Sequence, residues 1–79
     1  MTREEIVSKV NAVLAEEFEV EESVISPDAD IRKTLELDSL RLVDLISAIQ
    51  VAFGVKVTTE ELHLLTKFSD LYDYIEKNL

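Results

Sequence analysis

The sequence predicts an all-α fold, a small four-helix bundle with three main helices, a short third helix and a long loop between helices one and two. Apolar residues recur at helical spacing in separate stretches of the chain, and strand-like alternation appears only briefly at residues 55–57. No internal repeat, low-complexity tract or linker interrupts the pattern. Because 79 residues support one modest core, we expect a single domain covering residues 1–79.

The first predicted helix runs from about Arg3 to Glu17. Its apolar residues follow the three-then-four spacing of one helix face, and they are Ile6, Val7, Val10, Val13, Leu14 and Phe18. Thr2 followed by Glu5 forms a capping-box pattern, in which each side chain satisfies the backbone amide of the other. This pattern predicts the start of the helix.

The segment from Glu19 to Asp38 loses the helical periodicity, and Ser26-Pro27-Asp28 predicts a turn within it. Loops of this length in small domains are usually functional or held by apolar contacts. We therefore expect an ordered loop. The side chains expected to hold it are Val24, Ile25, Ile31 and Leu35.

The second helix is predicted to start at Asp38, whose carboxylate can cap the first turn, and to end at Gly54, the only glycine. One stripe of this helix is expected to face the core, and it contains Leu42, Leu45, Ile46, Ile49 and Phe53. The opposite, outer face carries Leu40, Arg41, Asp44, Ser47 and Val51.

Two more helices are predicted in the last third of the chain. Thr58 with Glu61 repeats the capping-box pattern before a short third helix, and Thr66 is the expected cap of the fourth. The apolar residues of the fourth helix are Phe68, Leu71, Tyr72 and Ile75.

The charge of the chain is strongly negative, with 17 acidic and 8 basic residues and a net charge of −9. Such a surface repels phosphate backbones and anionic lipid headgroups, so we expect neither a nucleic-acid partner nor membrane insertion. The acidic residues are unevenly distributed along the chain. Residues 1–22 hold two basic residues against seven glutamates, whereas residues 39–53 carry only Arg41 and Asp44.

Several kinds of active site are not expected. The chain has no cysteine and one histidine, His63, so it cannot build a nitrogen or sulfur metal site. One glycine cannot form a phosphate-binding loop or a nucleophile elbow around Ser39. Asp28, Asp30 and Asp38 lack the remaining pattern of a calcium loop. We expect no metal, no catalytic residue and, without a signal peptide or apolar span, a cytoplasmic protein.

The segment Asp38-Ser39-Leu40 lies at the start of the second helix, after a long loop and before Val43-Asp44-Leu45. It resembles the acyl carrier protein family, whose attachment motif is Asp-Ser-Leu at this place. The triplet alone arises by chance in roughly a few per cent of chains of this length. The resemblance is more specific because it extends through the helix order and acidity of most of the chain, to Tyr74-Ile75.

The resemblance implies that Ser39 bears a covalent 4'-phosphopantetheine arm taken from coenzyme A by a phosphopantetheinyl transferase, with Asp38 and Leu40 recognised beside it. The arm is attached through an anionic phosphodiester, which the free amides and the positive end of the dipole at a helix start would stabilise. The chain would be a substrate and not an enzyme. It would be a monomer that carries acyl groups as thioesters to acyl-transferring or condensing enzymes. The alternative for Ser39 is an ordinary polar residue of the first turn.

The resemblance also implies a docking surface and an acyl crevice. The docking surface would be the outer face of the second helix, with Leu40, Arg41, Asp44, Ser47 and Val51. Three residues would line the crevice, and they are Val43, Ile46 and Leu62. The alternative for each of them is ordinary core packing.

The chain departs from the family at two features. Glu36 stands where the commonest fatty-acid carriers have glycine, and the second helix lacks their strong acidity. We therefore expect partners in a specialised fatty-acid, polyketide, lipid or peptide pathway.

Two alternatives remain open. One is an unmodified carrier-like binding module that serves as a structural or regulatory subunit. The other is a carrier domain from a multidomain synthase, although Met1 and the end at Leu79 favour a complete chain.

Overall fold

The computed structural model describes residues 1–79 and contains helices but no strand. The four α-helices expected from the sequence are α1 (Arg3–Phe18), α3 (Ser39–Phe53), α4 (Thr59–Leu64) and α5 (Phe68–Asn78). A further short helix, α2 (Ile31–Leu35), and a 3-10 turn (Glu22–Val24) lie between α1 and α3. The prediction of an all-α fold is confirmed.

Two capping boxes start helices where the sequence predicted them. Before α1, the Thr2 hydroxyl accepts a hydrogen bond from the Glu5 amide (3.2 Å), and the Glu5 carboxylate accepts one from the Thr2 amide (2.8 Å). Thr58 and Glu61 make the same reciprocal pair before α4, at 3.1 and 3.2 Å. Each pair satisfies two amides that would otherwise lack a partner at the helix start.

The connection between α1 and α3 is more regular than the expected loop, because it contains α2. The Asp30 carboxylate caps α2 by accepting from the Lys33 amide at 2.9 Å. Five residues are too few for a periodic pattern to appear in the sequence. Three of the four expected apolar contacts are buried: Ile25, Ile31 and Leu35. The fourth expectation was wrong, since Val24 is 48% exposed.

The start of α5 also differs from the expectation. The Thr66 side chain does not cap the helix, and Lys67 occupies the cap position. Instead the Asp70 carboxylate reaches back and accepts from the amides of Thr66 (3.2 Å) and Lys67 (3.1 Å). A carboxylate of the first turn, and not the expected threonine cap, therefore satisfies amides at the start of α5.

The core is entirely apolar apart from one phenol. Tyr72 of α5 is buried, and its hydroxyl donates to the Asn11 side chain of α1 at 2.5 Å. Desolvation raises the pKa of Tyr72 above its usual value. All four apolar residues expected on the core side of α5 are buried. Val55 and Val57 are also buried, but their segment is not a strand.

Helix α1 packs against both α3 and α5. The Arg41 guanidinium at the start of α3 lies 6.0 Å from the centre of the Phe18 ring at the end of α1. At the other end, the Lys9 ammonium lies 5.1 Å from the centre of the Phe53 ring. The two helices therefore run antiparallel. None of the helices combines the length and the apolar character needed to cross a membrane.

Candidate functional site

Ser39 is the first residue of α3, and the Asp38 side chain holds the backbone that follows it. The Asp38 carboxylate accepts hydrogen bonds from the amides of Leu40 (3.1 Å) and Arg41 (2.9 Å). Ser39 is exposed, and its hydroxyl has no hydrogen-bond partner within the chain. The capped helix therefore fixes the backbone that carries the hydroxyl, and the hydroxyl itself is open to an approaching molecule.

The Asp38 cap leaves fewer free backbone amides near Ser39 than an uncapped helix would have. Asp38 takes up the amides of Leu40 and Arg41, and its own carbonyl accepts from the Leu42 amide at 2.9 Å. The amide of Ser39 itself remains without an acceptor in the chain. That amide and the positive end of the α3 macrodipole are what the site offers to a phosphodiester. An exposed hydroxyl beside a free amide fits the covalent phosphopantetheine arm.

Glu36 makes the backbone turn that leads from α2 to the site. It ends α2 in the left-handed conformation, with φ 51° and ψ 52°. Glycine adopts this conformation freely, whereas other residues are strained there by an amount of order 1–3 kcal/mol. The tight turn is thus present without a glycine, and the glutamate carries the strain.

The outer face of α3 lies in solvent, as expected. Leu40 is 77% exposed and Val51 is 85% exposed, and Arg41, Asp44 and Ser47 are exposed as well. Arg41 is only partly available to other molecules, because its guanidinium lies over the Phe18 ring.

The structure brings together two of the three residues expected to line an acyl crevice. Ile46 and Leu62 border a narrow apolar crevice that has no room for a water molecule. The other lining residues are Leu45, Ile49, Val57 and Leu71. Val43 does not border it and is 60% exposed. It lies about 60° around the helix from Ile46, which is enough to turn its side chain to solvent.

The remaining polar residues singled out in the sequence have structural contacts. His63 is exposed, and its Nδ1 lies 3.0 Å from the Arg32 guanidinium, which also donates to the Leu62 carbonyl at 3.3 Å. This contact joins α2 to α4. Asp30 and Asp38 are helix caps, and nowhere do three or more histidine or acidic side chains gather as metal ligands would.

An open groove between α1 and α3 was missed at the sequence level. Glu16 and Glu17 of α1 and Asp44 of α3 line it together. The sequence shows that the end of helix one is acidic, but not which helix it faces. The antiparallel packing of α1 on α3 supplies that information.

Comparison with known proteins points to one family. Residues 8–75 match the family described as "Phosphopantetheine attachment site". The acyl carrier protein of Rubrobacter xylanophilus is 40% identical over 75 residues, covering 95% of this chain and 93% of that protein. The acyl carrier protein of Thermotoga maritima is 41% identical over 78 residues, with 99% and 96% covered. That of Thermosynechococcus vestitus is 34% identical over 79 residues, with 100% and 98% covered.

Proposed function

The chain belongs to the acyl carrier protein family, and we propose that Ser39 is the residue that receives its 4'-phosphopantetheine arm. As a member of this family it carries acyl groups, or related intermediates, as thioesters on the thiol of that arm. One observation supports Ser39 above all others. It has an exposed hydroxyl without a partner, at the start of a capped helix, inside the matched region.

The attachment is a transfer to the serine oxygen. A bond forms between Ser39 Oγ and the phosphorus that carries pantetheine in coenzyme A. The bond from that phosphorus to the adenosine-phosphate part breaks, and 3',5'-adenosine diphosphate leaves. The serine proton passes to a base of the transferase, since no side chain of this chain hydrogen-bonds the hydroxyl. Ser39 thus acts as an acceptor, and we infer that the chain is not itself an enzyme.

Asp38 and Leu40 have different parts in the proposal. Asp38 fixes the first turn through two amides, so the serine is presented in one orientation. Leu40 offers an exposed apolar side chain next to the serine, where a modifying or acyl-transferring enzyme must come into contact. The wider docking surface on the outer face of α3 consists of Leu40, Arg41, Asp44, Ser47 and Val51.

The partners are transferases and biosynthetic enzymes, as for the family in general. We infer a specialised fatty-acid or polyketide pathway, because α3 has no net charge and three of its exposed residues, Leu40, Val43 and Val51, are large and apolar. A single carrier domain over residues 1–79, a monomeric state and a cytoplasmic location belong to the same proposal.

The apolar space beside Ile46 and Leu62 is the proposed shelter for the first carbons of an acyl chain. It lies between α3, α4 and α5 and is too narrow to hold water. An entering chain has to separate these helices slightly. Such movement is easiest at α4, a helix of six residues that few contacts hold in place.

The proposal is tested by incubating the protein with coenzyme A, magnesium and a permissive phosphopantetheinyl transferase, followed by measurement of the intact mass. We expect the wild type to gain one phosphopantetheine group and Ser39→Ala to gain none. Ser8→Ala is the matched control, since Ser8 is an exposed serine of α1 outside the docking surface, and it should be modified normally. A wild type that stays unmodified would favour the unmodified binding module instead.

A further inference from the structure

The groove between α1 and α3 combines an exposed apolar floor with an acidic rim. The floor is formed by Val13, Ala48, Val51 and Ala52. At 85% exposure, Val51 is the most exposed large apolar side chain of the chain. The acidic rim is formed by Glu16, Glu17 and Asp44. Apolar surface that is rimmed by polar side chains is typical of a protein interaction site.

The carboxylates of this rim lie at the end of the groove that is nearest to Ser39. Because α1 and α3 are antiparallel, the end of α1 with Glu16 and Glu17 lies beside the beginning of α3. Asp44 follows Ser39 by five residues, which corresponds to about 7.5 Å along the helix axis. Helix α1 therefore supplies, close to the serine, the negative charge that α3 lacks.

No ion pair within the chain involves the carboxylates of the acidic rim, and Arg41, the cation at this end of α3, has its guanidinium over the Phe18 ring. The ion pairs of the structure join Arg3 to Asp73 at 2.7 Å and to Glu76 at 3.2 Å, and Arg3 lies at the end of α1 opposite to Glu16 and Glu17. Lys9 also borders the groove, but its ammonium lies over the Phe53 ring at the opposite end. The rim is thus open to positive charge from another molecule.

We propose that a basic surface of the phosphopantetheinyl transferase occupies this groove, with its cationic side chains on Glu16, Glu17 and Asp44. The inference rests on the proposed attachment at Ser39. An enzyme that modifies the serine must bring its active site to the hydroxyl itself, whereas an enzyme acting on the arm's thiol has its active site an arm's length from the serine. An interface of ordinary size covers about 800 Å² of each partner, so it extends from Ser39 over the groove.

The charge of the transferase follows from its other substrate. Coenzyme A carries several phosphates, and proteins bind phosphates with arginine and lysine side chains. The protein surface around such a site is therefore positive and complementary to the acidic rim. Electrostatic complementarity of this kind raises the association rate and weakens as salt is added.

The test is the steady-state kinetics of modification for the double variant Glu16→Gln/Glu17→Gln, with the permissive transferase and coenzyme A at low and high salt. We expect KM for the carrier to rise about five- to tenfold at low salt, with kcat within about twofold of wild type. The difference should shrink at high salt. Circular dichroism checks that the variant is folded.

The matched control is Glu4→Gln/Asp28→Asn, which changes the net charge equally at two exposed sites. Both sites lie away from the groove. Glu4 is about 18 Å from Glu16 along α1. Asp28 lies next to α5, because the carbonyl of the preceding Pro27 accepts a hydrogen bond from the Ser69 amide. This control should keep the wild-type KM. A wild-type KM in the Glu16→Gln/Glu17→Gln variant, or an equal rise of KM in the control, would overturn the inference. A wild type that is never modified would overturn the attachment proposal too, and is a distinct result.

Discussion

The Asp38 carboxylate accepts a hydrogen bond from the Arg41 amide at 2.9 Å, across the turn of helix that presents Ser39. The same oxygen also accepts from Leu40 at 3.1 Å. One side chain therefore both starts α3 and sets the orientation of the proposed attachment residue. Stability and presentation of the site are linked at this position.

Replacing the cap should weaken the protein. Asp38→Ala leaves the amides of Leu40 and Arg41 without their partner, and we expect a loss of about 1 kcal/mol in the free energy of unfolding. Asp38→Asn keeps an acceptor oxygen and should lose clearly less. Urea denaturation measures both. Equal losses for alanine and asparagine would show that the hydrogen bonds do not hold the turn.

A substitution at the strained turn of Glu36 should instead raise the free energy of unfolding. Glu36→Gly removes the strain of the left-handed conformation but adds freedom to the unfolded chain. We expect a net gain of about 0.5–1 kcal/mol in the free energy of unfolding. Glu36→Ala keeps the strain and serves as the control. The account of this turn fails if glycine is no more stabilising than alanine.

The apolar space next to Leu62 can be tested with a loaded acyl chain. Leu62→Phe adds volume beside the narrow space and should expel the chain, so that hydroxylamine cleaves an octanoyl thioester faster than in wild type. The control is Val43→Phe, since Val43 is exposed and does not border the space. Identical cleavage rates in both variants would place the chain elsewhere. Thioester cleavage can be followed by intact mass.

Glu61 links α4 to α5 through a titratable contact. The Tyr74 hydroxyl donates to its carboxylate at 2.6 Å, and this bond is the main cause that lowers the pKa of Glu61 below its usual 4.5. The contact's contribution to stability is present above pH 4.5 and is lost as the pH falls through the lowered value. The same bond raises the pKa of Tyr74.

Tyr74→Phe should therefore move the pKa of Glu61 upwards and flatten the acid dependence of stability below pH 4.5. Carbon-detected NMR of the Glu61 carboxyl group measures the shift directly. Tyr72→Phe is the control, because Tyr72 bonds Asn11 and not Glu61. An unchanged Glu61 titration in Tyr74→Phe would rule out this bond as the cause.

Local signals predicted most of the fold. Capping by Thr2 and Thr58 is encoded within four residues of sequence, and Gly54 ends α3 in the left-handed conformation as its position after Phe53 indicates. Helix α2 escaped prediction because five residues show no period. At the start of α5, Thr66 and Asp70 were both potential caps, and local sequence does not decide between them.

The candidate site was only partly predictable for a different reason. Ser39 and its cap are adjacent in sequence, so the motif alone indicates them. The acidic rim joins Glu16 and Glu17 to Asp44, which are more than 25 residues apart. Their meeting depends on how α1 packs on α3, and that is a tertiary relationship.

The central claim is that the Ser39 oxygen carries the prosthetic arm, and peptide mapping of fully modified protein by tandem mass spectrometry tests it most directly. The account predicts the phosphopantetheine group on the peptide containing Ser39, with fragment ions assigning it to that residue. Modification at Ser47 or any other serine, with Ser39 bare, would contradict the account.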